Sequence, residues 1–365
     1  MVFVAGIIGS ELSPTKSLST LPVATIVVGT AMSVIPVIRL MSIFGRKKVF
    51  LSACVYSIML IGLCIFSISE EIFFLFCFAS FCLGASVATM MQFRFAAIES
   101  VTLEQRPSAT AVVLLGGLIS AFLGTEIATI GKHFLDTDFA GSFVLLAILF
   151  IIAFVLMIFF EPTTKFKEQI EKSKRPIMDI IKQGSFVVAV SAATTGYVVM
   201  SFIMTATPVS MHVMDGHSLH HTKLVLQSHV IAMFLPSLFT AYLVKYIGLT
   251  RMMLLGVVLL FISVFIAFMS HALINYWWSL VLLGLGWNFL FIGGTNLLPQ
   301  AYNENEKFKA QSINDFLVFG FQALAALSAG WFVFNFSWEV VLLSVLPLLL
   351  VQFIILIWWF LKKPS

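Results

Sequence analysis

The stretch Ser42–Phe50, SIFGRKKVF, sets three consecutive cations between two long apolar runs. Charge is scarce in this chain: of 365 residues, 60% are hydrophobic and 10% charged, against about 45–50% and about 25% in a soluble domain. Cations kept together against that background need a reason. A bilayer supplies one, because Lys and Arg gather in the short cytoplasmic connections between membrane helices.

Outward from this turn, charged and Pro/Gly-rich breaks divide the chain into apolar runs at 19–41, 49–69, 72–98, 108–131, 139–160, 184–212, 222–244, 252–270, 276–298, 311–334 and 338–361. About 20 residues, each rising about 1.5 Å, cross a hydrocarbon core about 30 Å thick. These runs predict eleven crossings, and residues 1–12 read as the end of a twelfth helix whose start is missing. If direction alternates, the segments 42–48, 99–107, 161–183, 245–251, 299–310 and 362–365 share one side and hold sixteen of the 21 Lys and Arg. That side is expected to be cytoplasmic, together with the C-terminus, in a multi-pass protein of the cytoplasmic (inner) membrane.

The net charge of +4 therefore reads as topology, and no nucleic-acid partner is expected. The stretch MVFVAGIIGSELSP lacks the basic start and cleavage site of a signal peptide. Cys54, Cys64, Cys77 and Cys82 lie inside apolar runs at no metal-ligand spacing, so neither a metal nor a cofactor is expected.

The longest polar segment, Glu161–Gln183, divides the chain into residues 1–160, a linker at 161–183, and residues 184–365. It reads as a solvated linker, with a short amphipathic surface helix as the alternative. An internal repeat supports the division. IRLMSIFGRKKVFLSA aligned with AYLVKYIGLTRMMLLG sets Gly45 over Gly248, an offset of 203, and CLGAS over GLGWN sets Gly84 over Gly286, an offset of 202. Parallel repeats around a central site are one plan of secondary transporters.

Here the sequence resembles the major facilitator superfamily, on its turn motif G-x-L-x-D-R-x-G-R-K. Gly45, Arg46 and Lys47 match the end of that motif and Leu40 its Leu, while Ile38 and Ser42 replace the opening Gly and the Asp. Ser80 stands where the fourth helix usually carries an Arg, and Thr125 stands where the fifth-helix antiporter motif has Pro. The resemblance implies an all-α polytopic membrane protein of two parallel six-helix halves around a central cavity. It also implies transport of a small solute by alternating access, with protons as a candidate coupling ion and a monomer as the expected state.

A charge deep in a bilayer costs several kcal/mol even on mild insertion scales, so Arg39, Arg94, Glu126, His229 and Asp315 are the natural functional candidates. Counting along the helices puts Arg94 about 8 Å from the cytoplasmic edge and Glu126 about 28 Å above it, which excludes an ion pair between them. The resemblance pairs helices two with eleven and five with eight. It therefore suggests an inner gate Arg39–Asp315 and an outer gate Glu126–His229, the latter also a candidate proton carrier.

Arg94, Tyr197, Trp287, Asn288 and Asn296 are candidate substrate-binding residues: Arg94 for an anionic group, and Tyr197, Trp287 and Asn288 on helices that line the cavity in that superfamily. The cluster His212, Asp215, His217, His220 and His221 lacks strong zinc spacing and reads as an exposed loop. Gly116, Gly117 and Gly124 are expected to let helices approach closely. No GxxxxGK[ST] loop occurs, so transport energy would come from an ion or solute gradient. A transport-inactive receptor or a polytopic membrane enzyme is the alternative. An enzyme would need a nucleophile–base or metal constellation such as HExxH or paired carboxylates, and none is visible in the sequence.

Overall fold

The structure is a computed structural model that describes residues 2–15, 18, 21–132, 134–135, 137–161 and 175–362. Most of the expected linker, residues 162–174, lies outside the described residues, as does Lys16. With no water in the hydrocarbon core, backbone groups must bond within their own segment, and the chain meets this demand with helices. The first seven are α1 (Val2–Leu12), α2 (Leu21–Phe44), α3 (Arg46–Ser69), α4 (Phe73–Met90), α5 (Phe93–Glu99), α6 (Arg106–Gly131) and α7 (Ala140–Ile158). The short α8 (Ile177–Ile181) is followed by α9 (Gly184–Pro208), α10 (Leu219–Phe234), α11 (Ser237–Met269), α12 (Leu273–Leu297), α13 (Lys307–Asn335), α14 (Trp338–Ser344) and α15 (Leu346–Lys362).

Among the described residues ten helical spans are long and apolar enough to cross a membrane. Helix α6, of 26 residues, occupies the expected fifth span. Helix α1 has 11 residues, a length of about 16 Å. Its Val4, Ala5 and Ile8 pack into a core with Ile26, Ile61, Phe76 and Phe143. The expected break at 245–251 is narrowed to Gly248, where two helical segments of α11 meet at a kink.

The chain forms two compact units, Met1–Ala96 with Ile119–Gln169 and Ala97–Leu118 with Ile170–Ser365. They differ from the sequence halves in one place: the start of α6 and the loop before it belong with the second unit. Three contacts hold them there. Thr110 Oγ1 lies 3.3 Å from Asn296 Oδ1 on α12, the Phe234 ring of α10 fills the space over Gly117, and Glu99 bonds Lys307 on α13. Of the three glycines expected to mediate close packing on this helix, only Gly117 does so among the described residues, since a Cβ on Gly116 or Gly124 would meet nothing within 4 Å.

The internal repeat reappears in the backbone. Gly45 has φ 82° and ψ 157°, and Gly248 has φ 79° and ψ 162°. Only glycine adopts this region without strain, so the two aligned positions make the same sharp turn. In SIFGRKKVF the bend is Gly45 itself and α3 begins at Arg46. The cations are thus the first turn of a helix and not a loop. That end of a helix disfavours positive charge, so a different constraint keeps them there, and the charge bias of membrane topology is one that does.

The second alignment shifts by two residues. Gly84 lies against the backbone of Gly29 and Thr30 on α2, and it is Gly284, not Gly286, that makes the corresponding contact on α10, where a Cβ would stand 2.7 Å from His229 O. Gly286 faces Gly256 and Leu260 on α11. Contact equivalence therefore runs at an offset of 200 in this helix. A Cβ at either turn glycine would force a conformation that costs about 1–3 kcal/mol. Gly45→Ala and Gly248→Ala should each lower the apparent Tm of the detergent-purified protein, whereas Gly116→Ala should leave it unchanged.

Candidate functional site

In the second unit, α9, α10, α12 and α13 bring five aromatic rings together. Tyr197 on α9 meets Trp287 at 5.2 Å, Phe291 at 5.1 Å and Phe319 at 5.4 Å between ring centroids, all edge-on. Trp287 and Phe291, one turn apart on α12, are stacked at 5.0 Å and 19°, and Phe234 of α10 approaches Trp287 edge-on at 5.9 Å. Gly196 lies beside this group, where a Cβ would meet Leu290 Cβ at 3.3 Å and Trp287 Cδ1 at an ordinary 3.7 Å. Trp287 is 1% exposed, and its Nε1–H has no hydrogen-bond partner. Thr194 Oγ1, three residues before Tyr197, is likewise buried without one. An unsatisfied buried donor costs about 1–3 kcal/mol.

Asn288, next to Trp287, is committed elsewhere. Pro236 breaks the helix between α10 and α11, and Asn288 Nδ2 donates to Met233 O at 2.6 Å and to Ser237 Oγ at 2.9 Å on the two sides of that break. Its Oδ1 accepts from Thr240 Oγ1 at 3.4 Å. Asn296 donates to Ile292 O at 2.9 Å and accepts from Thr110. His229 is fully buried, with Nδ1–H donating to Leu280 O at 2.8 Å and Nε2 unpartnered. Asp315 is fully buried and accepts from Asn314 Nδ2 at 2.7 Å.

In the first unit, Arg94 is buried with its guanidinium 4.6 Å from the Phe95 ring. Arg39 and Glu126 are exposed. Arg46 is buried, its Nη1 3.6 Å from Met41 Sδ, and Lys47 beside it is half-buried. Ser42 Oγ turns back to donate to Arg39 O at 2.7 Å, so a hydroxyl bonded along its own helix occupies the position of the motif acid.

At the other end of the second unit is a network that sequence reading did not assemble. Lys307 Nζ lies 3.3 Å from both Glu99 Oε2 and Glu304 Oε2. Gln311 Nε2 donates to Glu99 Oε1 at 3.1 Å and to Tyr302 Oη at 2.9 Å. The buried Glu306 closes a capping box with Asn303 on the 3₁₀ turn Glu304–Glu306 ahead of α13 and is 3.4 Å from Arg175 Nη1. Lys309 Nζ donates to Arg175 O and Gln183 Nε2 to Ala301 O, so the described end of the linker is fastened to the 301–309 region. The available signal was the mixed charge of NENEKFK, which topology alone reads as a cytoplasmic loop.

A family model described as Major Facilitator Superfamily matches residues 1–225 and 216–365. The chain belongs to this superfamily. It is a multi-pass membrane transporter of small solutes and not an enzyme. The riboflavin transporter RfnT of Brucella anthropi is 33% identical over 351 residues, covering 95% of this chain and 88% of that protein. The MFS-type transporter YddS of Bacillus subtilis is 29% identical, covering 98% and 86%. Among solved structures, a bacterial homologue of the iron transporter ferroportin in an outward-facing state has TM-score 0.72 at 14% identity, covering 98% of this chain and 94% of that one. The E. coli fucose:proton symporter FucP has TM-score 0.70 at 12% identity, covering 96% and 93%. These likenesses show the superfamily fold.

Among described residues no three His, Cys, Asp or Glu side chains form a group able to hold a metal. The polar network is the site's most testable feature. Lys307 and Glu99 are 10% and 13% exposed, so removing one partner leaves a poorly solvated charge. Glu99→Gln should destabilise the protein, and Lys307→Met added to it should cost much less than Lys307→Met alone. A double-mutant cycle on thermal unfolding reads this coupling, expected at about 1 kcal/mol or more.

Proposed function

We propose that this protein transports a flavin, riboflavin being the representative substrate, by alternating access across the inner membrane with its C-terminus in the cytoplasm. The observation that carries the substrate reading is the aromatic group around Trp287 with its unsatisfied buried N–H. A flat heteroaromatic ring bearing carbonyl oxygens would offer what this group lacks: an acceptor for the indole donor and further faces for edge-on contact, each aromatic pair contributing about 0.5–1.5 kcal/mol. Isoalloxazine is such a ring, and the identity to RfnT supports the same choice.

In this reading Tyr197 and Trp287 are substrate-binding, Asn288 and Asn296 hold the α10–α11 break and the start of α6 in place, and Arg94 remains a candidate contact for an anionic group. Glu99–Lys307 is a cytoplasmic-side latch. Arg39, Asp315, Glu126 and His229 are the proposed gating and proton-coupling residues. The bias of Lys and Arg toward the segments that hold SIFGRKKVF and NENEKFK supports the orientation.

Riboflavin should bind the purified protein saturably, read by its fluorescence quenching or by a ligand-dependent rise in Tm, and should accumulate in proteoliposomes. Trp287→Phe keeps a ring and removes the N–H, and should weaken binding about tenfold. Failure of the folded wild type to bind riboflavin would overturn the substrate reading. Proton coupling is tested separately: Glu126→Gln should flatten the pH dependence of uptake, and an unchanged profile would remove Glu126 from the coupling path.

A further inference from the structure

At the Lys- and Arg-poor end of the second unit, three loops meet on one histidine. His271 lies in the short connection between α11 and α12. Its Nδ1 is 2.9 Å from Asp215 Oδ1, in the loop after α9, and its Nε2 is 2.7 Å from Glu339 Oε1, in the first turn of α14. Asp215 is further bound: Tyr276 Oη–H donates to its Oδ2 at 2.6 Å, and Ser210 Oγ–H donates in turn to Tyr276 Oη at 2.5 Å. His217 Nε2–H donates to His271 O at 2.8 Å, and His212 Nδ1–H donates to His217 O at 2.7 Å. The segment that carries these groups begins with a π-helical turn, Val209–Met214, an irregularity common at functional sites. Trp338 packs on Tyr276 at 5.4 Å.

Hydrogen-bond chemistry decides what this geometry requires. An ionised carboxylate only accepts, and a neutral imidazole has one donor and one acceptor nitrogen. Neutral His271 could satisfy one carboxylate and would set a lone pair against the other at less than 3 Å. The imidazolium donates to both. We propose that His271, held between Asp215 and Glu339, is a proton-binding site that fastens these three loops together when the imidazolium is present and releases one of them when the proton leaves.

The titratable groups against His271 among the described residues are Asp215 and His217 from the loop after α9, Tyr276 from α12 and Glu339 from α14. The His271 side chain is 41% exposed, so protons reach it from the aqueous phase. Its hydrogen bond to Asp215 chiefly raises its pKa; partial desolvation opposes this and the bond to Glu339 adds to it. The sign follows from linkage. A group whose pKa is raised in the folded state stabilises that state fully below its unfolded pKa, near about 6.5, and loses the effect as pH rises through the folded value. The loops should be fastened at mildly acidic pH and looser in alkali.

The test is hydrogen exchange of residues 209–218 in the purified full chain at pH 6 and pH 9, corrected for intrinsic exchange and read by mass spectrometry without added solute. Protection in the wild type should fall about ten- to hundredfold between the two pH values, the loss expected for one charge-assisted bond. His271→Gln should show the low protection at both. Glu339→Gln supplies an amide that donates to a neutral imidazole, so it should keep the loops fastened and flatten the pH dependence. Equal wild-type protection at both pH values, or His271→Gln behaving as wild type at pH 6, would overturn the proposal. Because no substrate is added, neither result depends on the flavin reading.

Discussion

A peptide group in hydrocarbon has no water to bond, and leaving it unmade costs several kcal/mol. Everything else in this structure is arranged around that demand. Helices satisfy it within each segment, and the breaks are repaired locally, as where Pro236 removes a donor and Asn288 bridges Met233 and Ser237 across the gap. Lipid tails are as apolar as leucine, so burial does not drive these helices together. Close packing and interhelical hydrogen bonds do so instead. The contact of Gly84 with Gly29 and Thr30 and the Ser57–Ser86 bond at 2.6 Å are examples on α2, α3 and α4.

The same demand makes polar side chains informative. Several of the buried ones are used to hold the scaffold: Asn288, Asn296 and the Nδ1 of His229 each bond a backbone carbonyl. Buried groups without a partner include Trp287 Nε1 on α12, Thr194 Oγ1 on α9 and His229 Nε2 on α10, and also Ser80 Oγ, Arg106 Nε, Trp338 Nε1 and Gln352 Nε2 on other helices. Helices α9, α10 and α12 belong to one compact unit, and Trp287 is itself one of the rings around Tyr197. The proposed recognition of a solute rests on one of these groups, the Trp287 Nε1–H donor among the aromatic rings. Donors already committed to a carbonyl are positioning groups.

Charge is handled differently at the two ends of the second unit. At the Lys- and Arg-rich end, Lys307, Arg175 and Lys309 fasten Glu99, Glu306 and the end of the linker. At the opposite end one histidine serves two carboxylates. Histidine is the side chain that ordinarily titrates nearest neutral pH, so the second network is the one proposed to respond to the medium.

Helix positions were legible in the sequence because a run of about 20 apolar residues has few other solutions, and ten such spans are present among the described residues. The repeat was legible at Gly45 and Gly248 because a backbone angle open only to glycine leaves a glycine in both copies. It was misread by two residues at Gly84, since glycines that serve packing recur along α12 and spacing alone does not say which one faces which neighbour. The candidates Tyr197 and Trp287 were visible as aromatics, but Phe234, Phe291 and Phe319 were lost among 38 phenylalanines. Glu99–Lys307 and Asp215–His271–Glu339 join residues separated by 208, 56 and 68 positions. By itself the sequence determined that the chain spans a membrane as helices and which family it resembles, because burial in lipid constrains composition locally. Which polar groups meet was decided by the tertiary structure alone, because a hydrogen bond depends on an ångström-scale placement that no local pattern encodes.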